Sequence, residues 1–348
     1  MVKLADLGDA LTATPALRAL RRSWPSAAID VLTSPMGAQA LAGLDSLDEL
    51  VVMDKHQFDR PAGLLSAGQL ARMGPRLLQL RRRRYDCLLL VHHLTTAFGT
   101  LKYFLLTKAI AAGVTAGLDN GRGWFLDERV PDDGFGTLHE ADYAAAVAAS
   151  VGAKPAPRQL EIAVDGEAAA RAEELLPGTD WLALHVGGGT FSLARRWDPA
   201  KFAEAANAVA ERHGFRAVLI GTAVDREASD QAAAELSAPP LDLVGRLSVK
   251  EAAAALGRCR LLLSNDSGVV FLACAVNTPT VAVFGPSNDL AWSPYPPERH
   301  RAVRATLPCS PCFYRGKGLG TPQGCPTRDC LALVTPEMVA AAGEELLA

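Results

Sequence analysis

The chain has 348 residues, of which 49% are hydrophobic and 21% charged, and its 38 acidic residues against 35 lysines and arginines leave a net charge of −3. That length exceeds one ordinary core and suits two domains of about 150 to 180 residues each. The composition is that of a soluble globular protein, the charge gives no case for a nucleic-acid partner, and no apolar run nears the roughly 18 residues of a membrane span.

The chain opens on a short apolar stretch, Val2 to Leu4, that leads into Leu7-Gly8-Asp9. Gly8 permits a tight turn there, and Asp9 falls at the mouth of a sheet just before Thr14-Pro15 starts a helix. A carboxylate in that position serves as a base or caps the helix. Strand-like runs follow at Ile29–Thr33, Leu50–Met53, Cys87–Val91 and Val114–Leu118, alternating with helical patterns at Pro15–Ser23, Leu64–Arg82, Phe98–Ala112 and His139–Val151. This alternation predicts a parallel sheet wrapped by helices. The run Arg81-Arg82-Arg83-Arg84 ends a helix, where cations complement the dipole, and it also offers a peripheral contact to anionic lipid or to an anionic acceptor. His92, His93 and Thr95 follow a strand and Lys102 lies on the next helix, so His92, His93 and Lys102 are candidate acceptor contacts. With no basic-apolar-small leader at its start, the expectation is a cytoplasmic protein.

Gly152-Ala-Lys-Pro-Ala-Pro157 breaks the pattern and reads as a linker between residues 1–152 and 158–348. A second alternation begins, with strands at Trp181–His185, Ala217–Ile220, Leu241–Val244, Leu261–Ser264 and Thr280–Phe284. Its helices fall at Glu167–Leu176, Pro199–His213, Arg226–Leu236, Lys250–Leu256 and Pro336–Leu347. Two doubly wound α/β domains in tandem bring their strand ends to face one another across a cleft, where ligands bind in such sheets.

Three segments of the second half carry chemistry. Gly187-Gly188-Gly189-Thr190 after His185 forms a loop that phosphate oxygens can approach, and Arg195 and Arg196 supply charge and forked donors for a diphosphate. Asp225 and Glu227, after the next strand, suit the hydroxyls of a ribose or the start of a helix. Asn265-Asp266-Ser267-Gly268 joins a strand to a helix, so its backbone amides suit a phosphate, while Asp266 or Ser267 equally suits a helix cap. No Asp-x-Asp triplet is present to hold a catalytic cation. Cys309, Cys312, Cys325 and Cys330, spaced C-x2-C-x12-C-x4-C in a Pro/Gly-rich loop, favour a tetrahedral structural metal over disulfides in a cytoplasmic chain.

The opening Leu7-Gly-Asp-Ala-Leu-Thr-Ala-Thr-Pro-Ala-Leu-Arg, the Arg195-Arg-Trp-Asp-Pro199, and Asn265-Asp-Ser-Gly with Phe284-Gly-Pro together resemble the ADP-heptose heptosyltransferases, glycosyltransferase family 9. The likeness spans the chain in order. It implies a GT-B fold, two Rossmann-like domains with an acceptor-binding N-terminal half and a donor-binding C-terminal half. The implied activity is inverting transfer of a heptose from ADP-heptose to a glycan or other hydroxyl acceptor, typically the lipopolysaccharide core, with Asp9 as base. Arg195, Asp266, Ser267 and Gly268 would bind the donor. Relatives also imply zinc or iron at the cysteines. The chain departs from the pattern at Phe271, where many members carry a histidine. Two other classes share such a fold: a sugar-nucleotide epimerase or hydrolase, and a non-catalytic nucleotide-sugar binder.

Overall fold

Short runs of leucine, valine and alanine bounded by polar turns become strands buried on both faces, the mark of a parallel sheet covered by helices. The computed structural model describes residues 1–54, 67–189 and 191–348. The chain divides into two units, Met1–Gly134 with Glu140–Pro157 and Gly316–Gly318, and Phe135–His139 with Arg158–Arg315 and Leu319–Ala348.

The first unit holds β1 (Val2–Lys3), β2 (Asp30–Thr33), β3 (Glu49–Val52), β4 (Cys87–Leu90), β5 (Val114–Asp119) and β6 (Glu128–Pro131). They pair in the order β3-β2-β1-β4-β5-β6, parallel throughout. Its helices are α1 (Leu7–Leu11), α2 (Thr14–Ser23), α3 (Pro35–Leu41), α4 (Ala67–Arg82), α5 (Ala97–Ile110) and α6 (Glu140–Ser150). The second unit repeats the plan with β7 (Trp181–His185), β8 (Arg216–Leu219), β9 (Leu241–Asp242), β10 (Leu261–Asn265), β11 (Thr280–Phe284) and β12 (His300–Arg304). Their order is β12-β11-β10-β7-β8-β9, again parallel. The main helices there are α7 (Gly166–Leu175), α8 (Pro199–His213), α9 (Arg226–Glu235), α10 (Val249–Leu256) and α11 (Gly268–Ala275). Short α12 (Asp289–Trp292) and α13 (Asp329–Ala332) precede the closing α14 (Pro336–Leu347).

Local chemistry explains most boundaries. Ser34, Thr96, Asp165, Asp198, Ser248 and Thr335 accept from backbone amides at the starts of α3, α5, α7, α8, α10 and α14, each closing an otherwise unpaired helical donor. Leu184, Trp197, Phe202, Leu263 and Val283 centre the second core, and Leu32, Leu88, Leu90, Leu106 and Ile110 the first. Two expectations need correction. Gly8 lies inside α1 rather than in a tight turn, and Asp9 caps neither α1, whose N-cap is Asp6, nor α2, whose N-cap is Ala13. The helix expected from Leu64 is described from Ala67, its first residues lying outside the described ones.

One polar cluster is sealed within the first unit. His93 Nδ1 lies 2.9 Å from Asp132 Oδ2 and its Nε2 2.9 Å from Glu140 Oε1, all three side chains nearly inaccessible. Burial alone would drive the imidazole toward neutrality, but Glu140 and Asp132 outweigh it and lift the pKa to about 9. Asp132, though burial pushes it the other way, is held below its ordinary value by His93. Removing the cation strands two buried carboxylates, so His93→Ala should cost about 3 to 5 kcal/mol in urea unfolding. Because the folded pKa lies above the ordinary 6.5, the imidazolium's contribution should be complete below that value and fade as pH rises through about 9.

Candidate functional site

In each unit the first and fourth strands lie side by side while their following segments wind to opposite sides, which opens a crevice at their C-terminal ends. In the second unit those strands are β7 and β10. The glycine loop leaves β7 and the Asn265–Gly268 turn leaves β10, so the topology brings two of the sequence-derived segments together.

Asn265 holds them there. Its wholly buried amide donates from Nδ2 to the carbonyls of Val186 and Gly187, both at 2.8 Å, and its Oδ1 accepts the Trp197 amide at 2.8 Å. That third bond fixes the segment carrying Arg195 and Arg196. Arg195 Nη1 lies 3.3 Å from Asp266 Oδ2, and Nη2 approaches the Gly188 carbonyl at 3.5 Å. Asp266 Oδ2 also accepts from Ser287 Oγ at 2.5 Å, so this carboxylate aims the guanidinium. Arg196 Nη2 donates to the Gly189 carbonyl at 3.1 Å. Among the described residues the Nε of both arginines is buried without a partner, which leaves donor capacity that an anionic ligand could satisfy.

The capping alternative for the β10 turn does not hold. Ser267 is the N-cap of α11 but makes no side-chain capping bond, and Asp266 is committed to Ser287 and Arg195. The start of α11, with Gly268 as its first residue, therefore keeps the amide-rich character that suits a phosphate.

Other expected donor contacts fall differently. Thr190 lies outside the described residues. Asp225 is buried and accepts through Oδ2 from the Thr222 amide and hydroxyl at 2.9 and 2.8 Å. A Cβ on Gly187 would stand 1.9 Å from its Oδ1. Asp225 thus braces the glycine loop instead of presenting itself to a ribose. Burial strains its ionised form, yet His185 and the Thr222 bonds keep its pKa below the ordinary value. Glu227 is exposed and lines a cavity of about 540 Å³ with Val186, Arg196, Lys201 and Arg328.

The corresponding crevice of the first unit lies between β1 and β4. Asp9, half-buried on α1, follows β1. His92, just beyond β4, accepts the Leu4 amide on Nε2 at 2.8 Å and stacks on Tyr103 with ring centroids 4.9 Å apart. An amide can only donate, so that nitrogen carries no proton. Lys102 lies over the other ring partner, its Nζ 5.4 Å from the Tyr103 centroid. His93 is spoken for by two carboxylates on both nitrogens, so it stiffens the unit and is not offered to an acceptor as expected.

Sequence reasoning missed Asn265 as the organiser and an aromatic group around Phe271. Phe271 is buried, its ring 6.3 Å from Trp292 and 6.4 Å from His139. His139 in turn stacks on Tyr295 at 4.6 Å and holds the Ser293 carbonyl at 2.9 Å. Only the unusual Phe271 signalled this group, since His139 arrives from over a hundred residues away.

Cys309, Cys312, Cys325 and Cys330 line one cavity of about 290 Å³ as reduced thiols. Among the described residues, however, no three His, Cys, Asp or Glu are grouped to hold a metal ion. Cys330 joins the apolar core, while exposed Cys325 lies 3.6 Å from the Thr327 hydroxyl. Burial raises the Cys330 thiol pKa, and the Thr327 hydrogen bond lowers that of Cys325.

Two parallel sheets in this order, each in its own Rossmann-like unit, are the architecture of the GT-B fold. A family model described as glycosyltransferase family 9 (heptosyltransferase) matches residues 77–321, and the chain belongs to that family. It is 26% identical over 320 residues to lipopolysaccharide heptosyltransferase 2 of Salmonella typhimurium, covering 85% of this chain and 84% of the relative. Its fold is similar to that of a family 9 glycosyltransferase from Veillonella parvula (TM-score 0.77, 22% identity, 99% and 95% of the two chains). It is likewise similar to E. coli heptosyltransferase WaaC with ADP (TM-score 0.74, 18% identity, 99% and 98%).

Replacing Asn265 by Ala removes three buried hydrogen bonds and leaves two carbonyls and an amide unpaired. The expected cost is about 3 kcal/mol in denaturant unfolding, with weakened ADP binding in calorimetry.

Proposed function

We propose that this glycosyltransferase moves a heptose from ADP-heptose to a hydroxyl of a glycan, the lipopolysaccharide core being the acceptor class its relatives indicate, with inversion at the anomeric carbon. The observation that carries the donor assignment is the crevice of the second unit, where Asn265 fixes the glycine loop, Arg195 and Arg196 beside the start of α11. In this reading the second unit binds the donor and the first binds the acceptor.

The chemistry follows from those parts. The acceptor hydroxyl attacks the anomeric carbon, the bond to the diphosphate oxygen breaks, and its electron pair leaves with ADP. Asp9 accepts the hydroxyl proton as the new bond forms. Charge growing on the leaving diphosphate is met by Arg195, by Ser267 and by the first amides of α11, fixed donors that need no reorganisation during reaction. These groups do the work usually given to a divalent cation, so no catalytic metal enters the proposal.

Family members' histidine at the position of Phe271 has no equivalent on α11, so Arg195 and Arg196 carry the phosphate contacts in this account. Asp9→Asn should keep ADP affinity while lowering heptose transfer about 100-fold or more; undiminished transfer would remove Asp9 as the base. Turnover of ADP-heptose without any acceptor would instead point to an epimerase or hydrolase.

The four thiols suit a structural zinc or iron by donor chemistry, and the loop that bears them is tied to the arginine segment. Ser192 Oγ donates to the Pro322 carbonyl at 2.5 Å and Arg328 Nη1 to the Leu193 carbonyl at 3.4 Å. If Cys309, Cys312, Cys325 and Cys330 close on a metal, the purified protein should contain about one equivalent by elemental analysis. Chelation should then lower its melting temperature; metal-free protein with an unchanged melting temperature would exclude the role.

A further inference from the structure

Helix α5 breaks the ordinary rule for a surface helix. Its inner face buries Thr100, Tyr103, Leu106, Thr107 and Ile110, yet its outer face is not polar. Leu101 and Leu105, one turn apart, are 47% and 46% exposed, where charged or amide side chains are expected. Trp124, on the connection from β5 to β6, is 58% exposed and packs on Phe104 of the same helix with centroids 4.8 Å apart. The apolar stripe therefore continues past the helix onto an indole ring. A contiguous exposed patch of this kind marks a surface that meets something.

Its charges say what. Lys108 closes the stripe at one end, its Nζ 5.9 Å from the Phe104 centroid. Arg81 of α4 reaches the carbonyls of Lys108 and Ala109 at 3.3 and 3.5 Å, which brings the basic end of α4 to the same border. Exposed Arg82 and Arg84 stand beside it. Arg76, Arg81, Arg82, Lys102 and Lys108 lie on α4 and α5, whose sequences contain no aspartate or glutamate.

We infer that this face of the first unit docks on an anionic bilayer surface, with Leu101, Leu105 and Trp124 entering the headgroup region and the surrounding lysine and arginines contacting lipid phosphates. Tryptophan prefers that interface, lysine and arginine extend their charged ends from it, and a basic rim binds anionic lipid. A second copy of the chain fits less well, since a two-fold contact would press like-charged borders together. The inference does not rest on the proposed reaction, because it concerns a face outside the donor crevice.

Sedimentation of the full-length protein with vesicles tests it. Binding should be about tenfold stronger to phosphatidylcholine vesicles containing phosphatidylglycerol than to phosphatidylcholine alone. It should weaken as salt shortens the Debye length from about 10 Å to about 3 Å. Leu105→Glu and Trp124→Glu, at exposed positions, should each reduce vesicle binding about tenfold or more while leaving ADP affinity and thermal unfolding unchanged. Equal binding by the two variants, or no preference for anionic vesicles, would overturn the inference. So would a dimer in light scattering that Leu105→Glu dissociates, because the occupant would then be a second copy.

Discussion

A crevice between two diverging loops stays open only if something other than a ligand holds its walls, and here a single buried amide does so. Asn265 donates twice and accepts once across the gap between β7 and β10, without any charge to be desolvated. A charged residue in the same place would need a partner of its own in a wholly buried setting, where an unpaired charge is far costlier than an amide. The neutral side chain leaves the nearby charges for other work. Arg195 is oriented by Asp266 rather than consumed by the scaffold, and Asp266 is itself steadied by Ser287.

The first unit solves the same problem with a different residue. His92 follows β4, the topological counterpart of β10, and takes the backbone amide of Leu4, which follows β1, the counterpart of β7. In both units a polar side chain from the fourth strand ties down the chain leaving the first. The direction of the bonds differs: Asn265 mainly donates to carbonyls, whereas His92 accepts from an amide. That contrast suits the proposed occupants, a phosphate at the amides of the second unit and a hydroxyl at Asp9 of the first.

Periodicity and composition were enough for the sheets, since a buried parallel strand must be apolar on both faces. Trp181–His185, Thr280–Phe284, Pro199–His213 and Pro336–Leu347 have the bounds read from the pattern. Of the four edge strands, the apolar pair Glu49–Val52 and Leu241–Asp242 was legible and the charged pair was not. Glu128–Pro131 and His300–Arg304 each close one side of a sheet and carry charge, and nothing in Glu-Arg-Val-Pro or His-Arg-Ala-Val-Arg reads as a buried strand. In the site, Asp266 and Arg195 were legible as chemistry but not as a pair, because 71 residues separate them in the chain. The roles of Asp225 and His93 were misread because a carboxylate or imidazole at a strand end looks the same whether it faces a ligand or a neighbour.

Phe271 shows how one substitution propagates through such a crevice. A histidine on the first turn of α11 could offer a proton or a positive charge to a phosphate, and a phenylalanine can offer neither. What it offers is packing, and the structure uses it: the ring is buried against Trp292 and His139, and His139 stacks on Tyr295. The packing around α11 is thus aromatic where a charged group would need water or a partner. In the reading proposed above, the diphosphate then depends more on Arg195 and Arg196, whose buried Nε groups have no hydrogen-bond partner among the described residues. On that proposal a neutral ring on α11 and two arginines on the segment that Asn265 holds form one arrangement, in which the amides of α11 keep a share of the leaving group and its charge is met by the arginines.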